Sequence, residues 1–214
     1  MRPSALFLAA AFTLLAGSRM LAADPVDPNL VPVGDGWKSI LNGHDLGGFV
    51  AQSGYWRMEP DGVLHGQTPG GREHHYCWTE AVYSDFELHA DVKLLGYNSG
   101  VCIRIAPTSY DNVPGYQVDM GQGYWGCLWD ERGNGMVAKF PDEEAAKVVK
   151  ADDWNHFHVR AQGHHIQIWL NGVPTVDVVD EKGRLSGPIG FQLCHGDKGT
   201  DASFKNVVVR PLDN

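Results

Sequence analysis

The sequence has few cysteines, and none of them stands in a metal or redox spacing. Cys77, Cys102, Cys127 and Cys194 are far apart, so no C-x-x-C pair occurs. Four cysteines allow three pairings, and the sequence selects none of them, which leaves a disulfide as an open alternative. Basic clusters are also missing, since 17 lysines and arginines stand against 26 acidic residues, a formal net charge of −9. This balance argues against nucleic acid or an anionic membrane as the partner.

No apolar run is long enough to cross a membrane. The run over residues 5–17 follows Arg2 and is followed by small residues at Ala22 and Ala23. A helix that spans ~30 Å of hydrocarbon needs about 20 apolar residues, so this pattern predicts a secretory signal peptide over residues 1–23. Residues 24–36 are then an extended leader, and residues 37–214 form one domain. We expect a soluble, exported protein that is secreted or periplasmic.

Helical patterning is scarce. Only residues 142–150, with acids first and lysines last, favour a short helix. Elsewhere apolar and polar residues alternate, as in residues 86–94, 101–105 and 157–161, and many of the 26 glycines bound these runs. Alternation with period two is typical of half-buried antiparallel strands. The sequence therefore predicts an all-β fold in which two antiparallel sheets form a jelly-roll sandwich.

The E-x-D-x-x-E strand motif is absent as well. Retaining glycosidases hold two carboxyl groups about 5 Å apart, and this motif places both on one face of a strand. No equivalent carboxylate pair stands out in the sequence. The absence argues against a classical two-carboxylate glycosidase.

Strand phase selects a set of candidate site residues, namely Arg104, Gln117, Asp119, Gln192 and His195. The first four alternate with apolar residues on three strands, so they point away from the core. His195 stands at a strand end before a glycine, where loop-mounted functional residues are common. We predict that the five line one concave surface. The alternative is that they are only the solvated face of an antiparallel sheet.

Other polar and aromatic residues are weaker candidates. Three histidine groups suggest metal ligands, namely His74-His75, His156-x-His158 and His164-His165. None has a third ligand at a fixed spacing, so solvent-exposed histidines are the preferred interpretation. Aromatic rings stack on sugars but also fill cores. The candidates for a sugar platform are Tyr124, Trp125 and Trp129, which lie in a glycine-rich stretch.

Nine short blocks in a fixed order resemble a known family. They include Leu41-Asn42-Gly43-His44-Asp45-Leu46, Asn98-Ser99-Gly100-Val101, Gly115-Tyr116-Gln117-Val118, Trp169-Leu170-Asn171-Gly172 and the segment Gln192-Leu193-Cys194-His195-Gly196. Over about residues 36–212 the chain is similar to the 3-keto-disaccharide hydrolase domain. The family usually carries an acid near Gln117 and an acid or amide at Leu193 and Cys194, where this sequence departs.

The resemblance implies a concanavalin A-like sandwich, bacterial export and activity on glycosides oxidised at C3. A ketone at C3 acidifies the C2 proton, so a base can form an enolate that expels the C1 substituent, and water adds later. Such chemistry needs a base, a cation or metal beside the enolate, and an acid. No cofactor is assigned, although a divalent metal would serve as the cation.

Within this chemistry, each candidate residue has an expected role. His195 is the expected base, Arg104 the enolate stabiliser and Asp119 an orienting or proton-transferring group. The expected substrate-binding residues are Gln117, Gln192, Asn98, Trp129 and Tyr124. The alternative is a non-catalytic carbohydrate-binding module, since many sandwiches of this shape only bind sugars. An extracellular interaction domain is a third interpretation, and the sequence does not indicate the sugar or the oligomeric state.

Overall fold

The computed structural model describes residue 32 and residues 34–213. The predicted signal peptide and most of the predicted leader lie outside these residues. Where the leader is described, Gly34, Asp35 and Gly36 have positive φ angles and form a turn rather than an extended segment. The N–H of Trp37 closes this turn on the carbonyl of Gly34 at 2.9 Å. Within the described residues, no helix has the length and apolar character needed to span a membrane.

The described residues form fifteen strands and one helix. In chain order they are β1 (Lys38–Ser39), β2 (Phe49–Ala51), β3 (Trp56–Met58), β4 (Leu64–Thr68), β5 (His75–Thr79), β6 (Phe86–Leu94), β7 (Asn98–Ile103), β8 (Gly115–Gly121), β9 (Leu128–Glu131), β10 (Gly135–Ala138), α1 (Asp142–Val148), β11 (Asn155–Gln162), β12 (His165–Leu170), β13 (Val173–Val179), β14 (Gly190–Leu193) and β15 (Thr200–Pro211). The short helix α1 confirms the prediction of a helix over residues 142–150, although it ends at Val148, two residues before the predicted end.

Two antiparallel sheets contain all of these strands. The eight-stranded sheet has the order β13-β12-β11-β6-β15-β4-β3, with β1 paired to β15. The seven-stranded sheet has the order β10-β9-β8-β7-β14-β5-β2. The prediction of an all-β sandwich of two antiparallel sheets is confirmed. In the seven-stranded sheet, the central strands β8, β7 and β14 are neighbours, which brings the strands of the predicted site together.

The core lies between the sheets and fixes which residues point outward. Phe157 and Phe204 of the eight-stranded sheet and Val118 and Phe191 of the other are completely buried. The rings of Phe191 and Phe204 meet across the core with centroids 4.4 Å apart. Each such side chain contributes roughly 1.5–3 kcal/mol by burial. Because side chains alternate along a strand, the polar residues between them lie on the outer faces.

Arg104 departs from this alternation, and the prediction that it lines the outer surface is wrong. Strand β7 ends at Ile103, and Arg104 has a φ of 52°, in the left-handed region, which interrupts the alternation of side chains at this residue. Its side chain is fully buried and donates hydrogen bonds to the carbonyls of Ser84 (2.9 Å) and Gly163 (2.6 Å) and to Asp85 Oδ1 (3.0 Å). Arg104 therefore joins three chain segments instead of facing a ligand.

The cysteines do not form disulfides. All four are free thiols, of which Cys77, Cys102 and Cys127 are buried and Cys194 is partly exposed. Cys77 belongs to the main core, where a free thiol packs as a small apolar side chain. The open alternative of a disulfide is thus resolved in favour of four thiols.

Candidate active site

A set of buried polar side chains occupies the outer face of the seven-stranded sheet. Asn98 comes from β7, Gln117 and Asp119 from β8, and Gln192 from β14. In the strand register, Gly100 of β7 lies opposite Asp119 on one side and Gln192 on the other. The four polar side chains are at most 9% exposed, although they point away from the core. Such buried polar groups need internal hydrogen bonds.

Two glycines give these side chains the space to lie across the sheet. A Cβ atom on Gly100 would be 2.5 Å from Cγ of Gln117, and one on Gly121 would be 2.6 Å from Nδ2 of Asn98. Both distances are far below van der Waals contact. The glycines of β7 and β8 therefore allow the two amides to lie over the neighbouring strand.

The amide of Gln192 is the centre of a hydrogen-bond network. Its Oε1 accepts from Nε2 of Gln117 at 3.1 Å, and its Nε2 donates to the hydroxyl of Tyr76 at 2.7 Å. The same Nε2 donates to Oε1 of Glu131 at 3.0 Å. The donor and acceptor of Gln192 are thus both used, which fixes the orientation of the amide and holds Glu131 in place.

A cavity of about 220 Å³ opens above this network. Its walls are formed by His74, Tyr97, Asn98, Gln117, Asp119, Tyr124, Trp129, Glu131, Cys194 and His195. A larger groove of about 890 Å³ shares Tyr97, Asn98 and Tyr124 with the cavity. The rings of Tyr124 and Trp129 meet edge to face with centroids 6.2 Å apart. The cavity therefore combines carboxyl, amide, imidazole and aromatic groups.

Two carboxyl groups face this cavity with altered acidity. Burial raises the pKa of Asp119 from 3.8 to about 7, and the 2.8 Å hydrogen bond that Asn98 donates to its Oδ1 opposes the shift only in part. Burial also raises the pKa of Glu131, against the hydrogen bond from Gln192. These acids come from the neighbouring strands β8 and β9. The absence of the single-strand motif does not bear on these two acids, because they come from different strands and line one cavity.

His74, Cys194 and His195 form a second group at the rim of the cavity. The rings of His74 and His195 are in edge contact, with centroids 4.3 Å apart. Burial, with a further contribution from the nearby His195, lowers the pKa of His74 to about 4. Burial raises the pKa of the Cys194 thiol to about 12. One donor atom from each of the three residues lies within 4.8 Å of the others.

Most of the predicted site residues meet in this cavity. Asn98, Gln117, Asp119, Tyr124, Trp129 and His195 line it, whereas Gln192 lies fully buried in the network that supports it. Arg104 is absent from the lining. Sequence reasoning missed Glu131, although it shares the outward phase of Trp129 on β9. Trp125, a predicted platform residue, instead packs against the core.

Three of the histidines that were expected to be solvent-exposed are buried. His74, His75 and His156 are 8%, 6% and 3% exposed, so for them that expectation is wrong. His74 directly precedes β5. Because His75 pairs with Leu193, His74 lies beside Cys194. His156 lies on the outer face of the other sheet, where its Nδ1 is 2.7 Å from Oδ1 of Asp91. Its burial reflects packing under neighbouring side chains that spacing alone does not show.

Fold and site together define an antiparallel sandwich of the class found among carbohydrate-active proteins. More particularly, the chain belongs to the 3-keto-alpha-glucoside-1,2-lyase-like domain family, whose model matches residues 36–210. This match confirms the resemblance seen in the sequence blocks. No curated protein matches the chain at a significant level.

Solved structures share the fold. A candidate glycosyl hydrolase from Parabacteroides distasonis is 25% identical, with a TM-score of 0.61, over 82% of this chain and 99% of the other. A second candidate glycosyl hydrolase from that organism is 21% identical, with a TM-score of 0.62, over 83% and 94% of the two chains. The carbohydrate binding module CBM66 from Bacillus subtilis is 18% identical, with a TM-score of 0.59, over 76% and 95%.

Proposed function

We propose that this protein cleaves glycosides oxidised at C3, such as 3-keto-disaccharides, by elimination across C1 and C2. The observation that carries the proposal is the buried Asp119 in a sugar-sized cavity of a chain that belongs to a 1,2-lyase-like family. The cavity of about 220 Å³ is smaller than the ~300–1,000 Å³ typical of drug-sized ligands, which suits a single sugar ring. The N-terminal pattern supports a second part of the proposal, that the protein acts after export.

Asp119 is the base in this proposal. With a pKa near 7, its carboxylate can accept the C2 proton, whose acidity the C3 ketone increases. The electron pair of the C2–H bond then forms the enolate, with the negative charge on the C3 oxygen. His195 was the expected base from the sequence, but it is exposed at the rim, whereas Asp119 is nearly buried beneath the space that a ring would fill.

Glu131 is the acid. When the enolate collapses, the C3 carbonyl forms again, a C1–C2 double bond appears, and the C1–O bond breaks. The departing oxygen needs a proton, and the raised pKa of Glu131 favours the protonated carboxyl that can give it. The leaving group would occupy the groove of about 890 Å³, which shares Tyr97 and Tyr124 with the cavity. Water added later across C1 and C2 yields the 3-keto-sugar.

The deciding experiment incubates the protein with a 3-keto-disaccharide and, in parallel, with its unoxidised parent. We expect release of reducing sugar from the oxidised compound alone, through an enone intermediate with ultraviolet absorption. Asp119→Asn should lower the rate about 100- to 10,000-fold because it removes the base. Asp177→Asn is the matched control, since Asp177 is exposed on β13 of the other sheet. An Asp119→Asn protein with full activity would refute the assignment of the base.

Two other outcomes would support different functions. Because Asp119 and Glu131 share one cavity, ordinary acid-base hydrolysis is a second candidate, and equal cleavage of both sugars would favour it. Sugar binding without cleavage of either compound would favour a carbohydrate-binding module. Tyr124, which is 40% exposed beside Trp129, would then be the stacking platform.

A further inference from the structure

The proposed elimination leaves one chemical requirement without a residue. Negative charge that develops on the C3 oxygen needs an electrophile, and in enzymes this is a cationic side chain, a set of hydrogen-bond donors or a metal ion. None of the ten residues that line the cavity is a lysine or an arginine. Arg104, the expected cation, is engaged with the carbonyls of Ser84 and Gly163. The residues that line the cavity therefore supply no lysine or arginine for this charge, and a bound metal ion would supply it.

We propose that His74, Cys194 and His195 bind a thiophilic divalent ion of the Zn²⁺ class at the rim of the cavity. Their donor atoms lie within 4.8 Å of one another. The Sγ of Cys194 and the Nδ1 of His195 are 3.7 Å apart. Two ligands of one tetrahedral Zn²⁺, with bonds of about 2.3 Å to sulfur and 2.0 Å to nitrogen, are separated by about 3.5 Å. The observed spacing nearly satisfies that geometry.

The third ligand, His74, lies beside the Cys194–His195 segment. The backbone N–H of His195 donates a long hydrogen bond of 3.4 Å to Nδ1 of His74. Because this nitrogen accepts, its ring proton is assigned to Nε2, and an ion bound at Nδ1 would replace this long hydrogen bond. His74 is held in this position by burial, with only 8% of its surface exposed. Binding would release the thiol proton of Cys194, and the resulting thiolate with two imidazoles would leave a coordination position for the substrate, as in catalytic zinc sites.

The ligand set predicts which ions bind. A thiolate favours Zn²⁺ and Co²⁺ over Mg²⁺ and Ca²⁺, which prefer oxygen ligands. The position of the ion follows from the shared cavity, since the three residues and Asp119 line the same space. The ion would polarise the C3 carbonyl and stabilise the enolate oxygen while Asp119 removes the C2 proton. This role in catalysis rests on the proposed elimination, whereas the donor geometry does not.

The test measures binding of Co²⁺ to the purified, untagged protein in the absence of sugar. We expect one equivalent of Co²⁺ to give a sulfur-to-cobalt charge-transfer band. Added Zn²⁺ should replace the Co²⁺ and remove the band, whereas added Mg²⁺ should leave it unchanged. Cys194→Ser should abolish the band, and His74→Ala should weaken binding at least about tenfold, as loss of even an outer contact often does. Cys127→Ala is the control, because Cys127 is a buried thiol whose Sγ lies 3.8 Å from the Phe140 carbonyl. This variant should keep the band.

Absence of the band in the unmodified protein, or its persistence in Cys194→Ser, would overturn the metal site. The two proposals also fail separately. If Co²⁺ binds with the charge-transfer band but a 3-keto-disaccharide is not cleaved, the site stands and the elimination fails. If no ion binds and the 3-keto-disaccharide is cleaved at full rate after chelator treatment, the elimination stands and the metal site fails.

Discussion

The substitution Gly121→Ala tests whether the site depends on space that only glycine provides. A Cβ at this position would be 2.6 Å from Nδ2 of Asn98, and the three nearest atoms all belong to Asn98. The added methyl must therefore displace the amide that donates to Asp119 at 2.8 Å. Overpacking costs about 1–3 kcal/mol, and a lost hydrogen bond to a charged group costs about 1.5–3 kcal/mol. Because displacement of the amide relieves the clash, we expect a total of about 2–3 kcal/mol.

The matched control makes the same substitution in an Asn98→Ala background. The Nδ2 and Cγ atoms are then gone, the Cβ of residue 98 at 3.2 Å is the one of the three contacts that remains, and the φ angle of Gly121 is one that alanine adopts. Alanine also reduces the entropy of the unfolded chain, worth about 0.4–1 kcal/mol. The substitution should therefore cost less than about 0.5 kcal/mol or be stabilising, as measured by urea unfolding at constant m-value. An equal loss of stability in both backgrounds would refute the argument.

Two further predictions concern residues outside the cavity. Burial, helped by the nearby His158 and His156, lowers the pKa of His89 to about 3, so between pH 6.5 and 3 the unfolded chain binds the extra proton. The free energy of unfolding should thus fall as the pH drops through this window, by up to about 1.4 kcal/mol per pH unit. His89→Gln should flatten this dependence on pH, as measured by urea unfolding at several pH values. An unchanged dependence would contradict the prediction. The charged groups around His89 are Glu87, Asp91 and Arg210. Arg104→Met should cost about 3–5 kcal/mol, because it leaves the partly buried Asp85 and several carbonyls without their donor; a loss below 1 kcal/mol in thermal or urea unfolding would contradict the structural role.

The sequence was sufficient for the fold and for part of the site. Alternation with period two predicted the antiparallel sheets, and the same phase correctly placed Gln117, Asp119 and Gln192 on an outer face. The phase failed at Arg104 because one left-handed residue at the end of β7 reverses the direction of its side chain. Glycine is the usual residue at a positive φ angle, so a left-handed arginine cannot be recognised from the pattern of apolar and polar residues.

Long-range pairing explains the remaining differences. His74 lies beside Cys194 only because β5 pairs with β14, and Asp119 and Glu131 line one cavity only because β8 pairs with β9. Neither neighbour relation can be derived from spacing along the chain. Burial of His74 and His156 was also missed, since it involves contacts with residues distant in the sequence, namely His195 and Asp91. For His74, this burial is the main cause of the lowered pKa.

The most direct test of the account is the rate of cleavage of one 3-keto-disaccharide with hydrogen or deuterium at C2, compared with the unoxidised parent. Abstraction of the C2 proton by Asp119 predicts slower cleavage of the deuterated compound in single-turnover measurements and no cleavage of the parent. Equal rates for the two isotopic forms, together with cleavage of the unoxidised parent, would contradict the elimination and favour hydrolysis by Asp119 and Glu131.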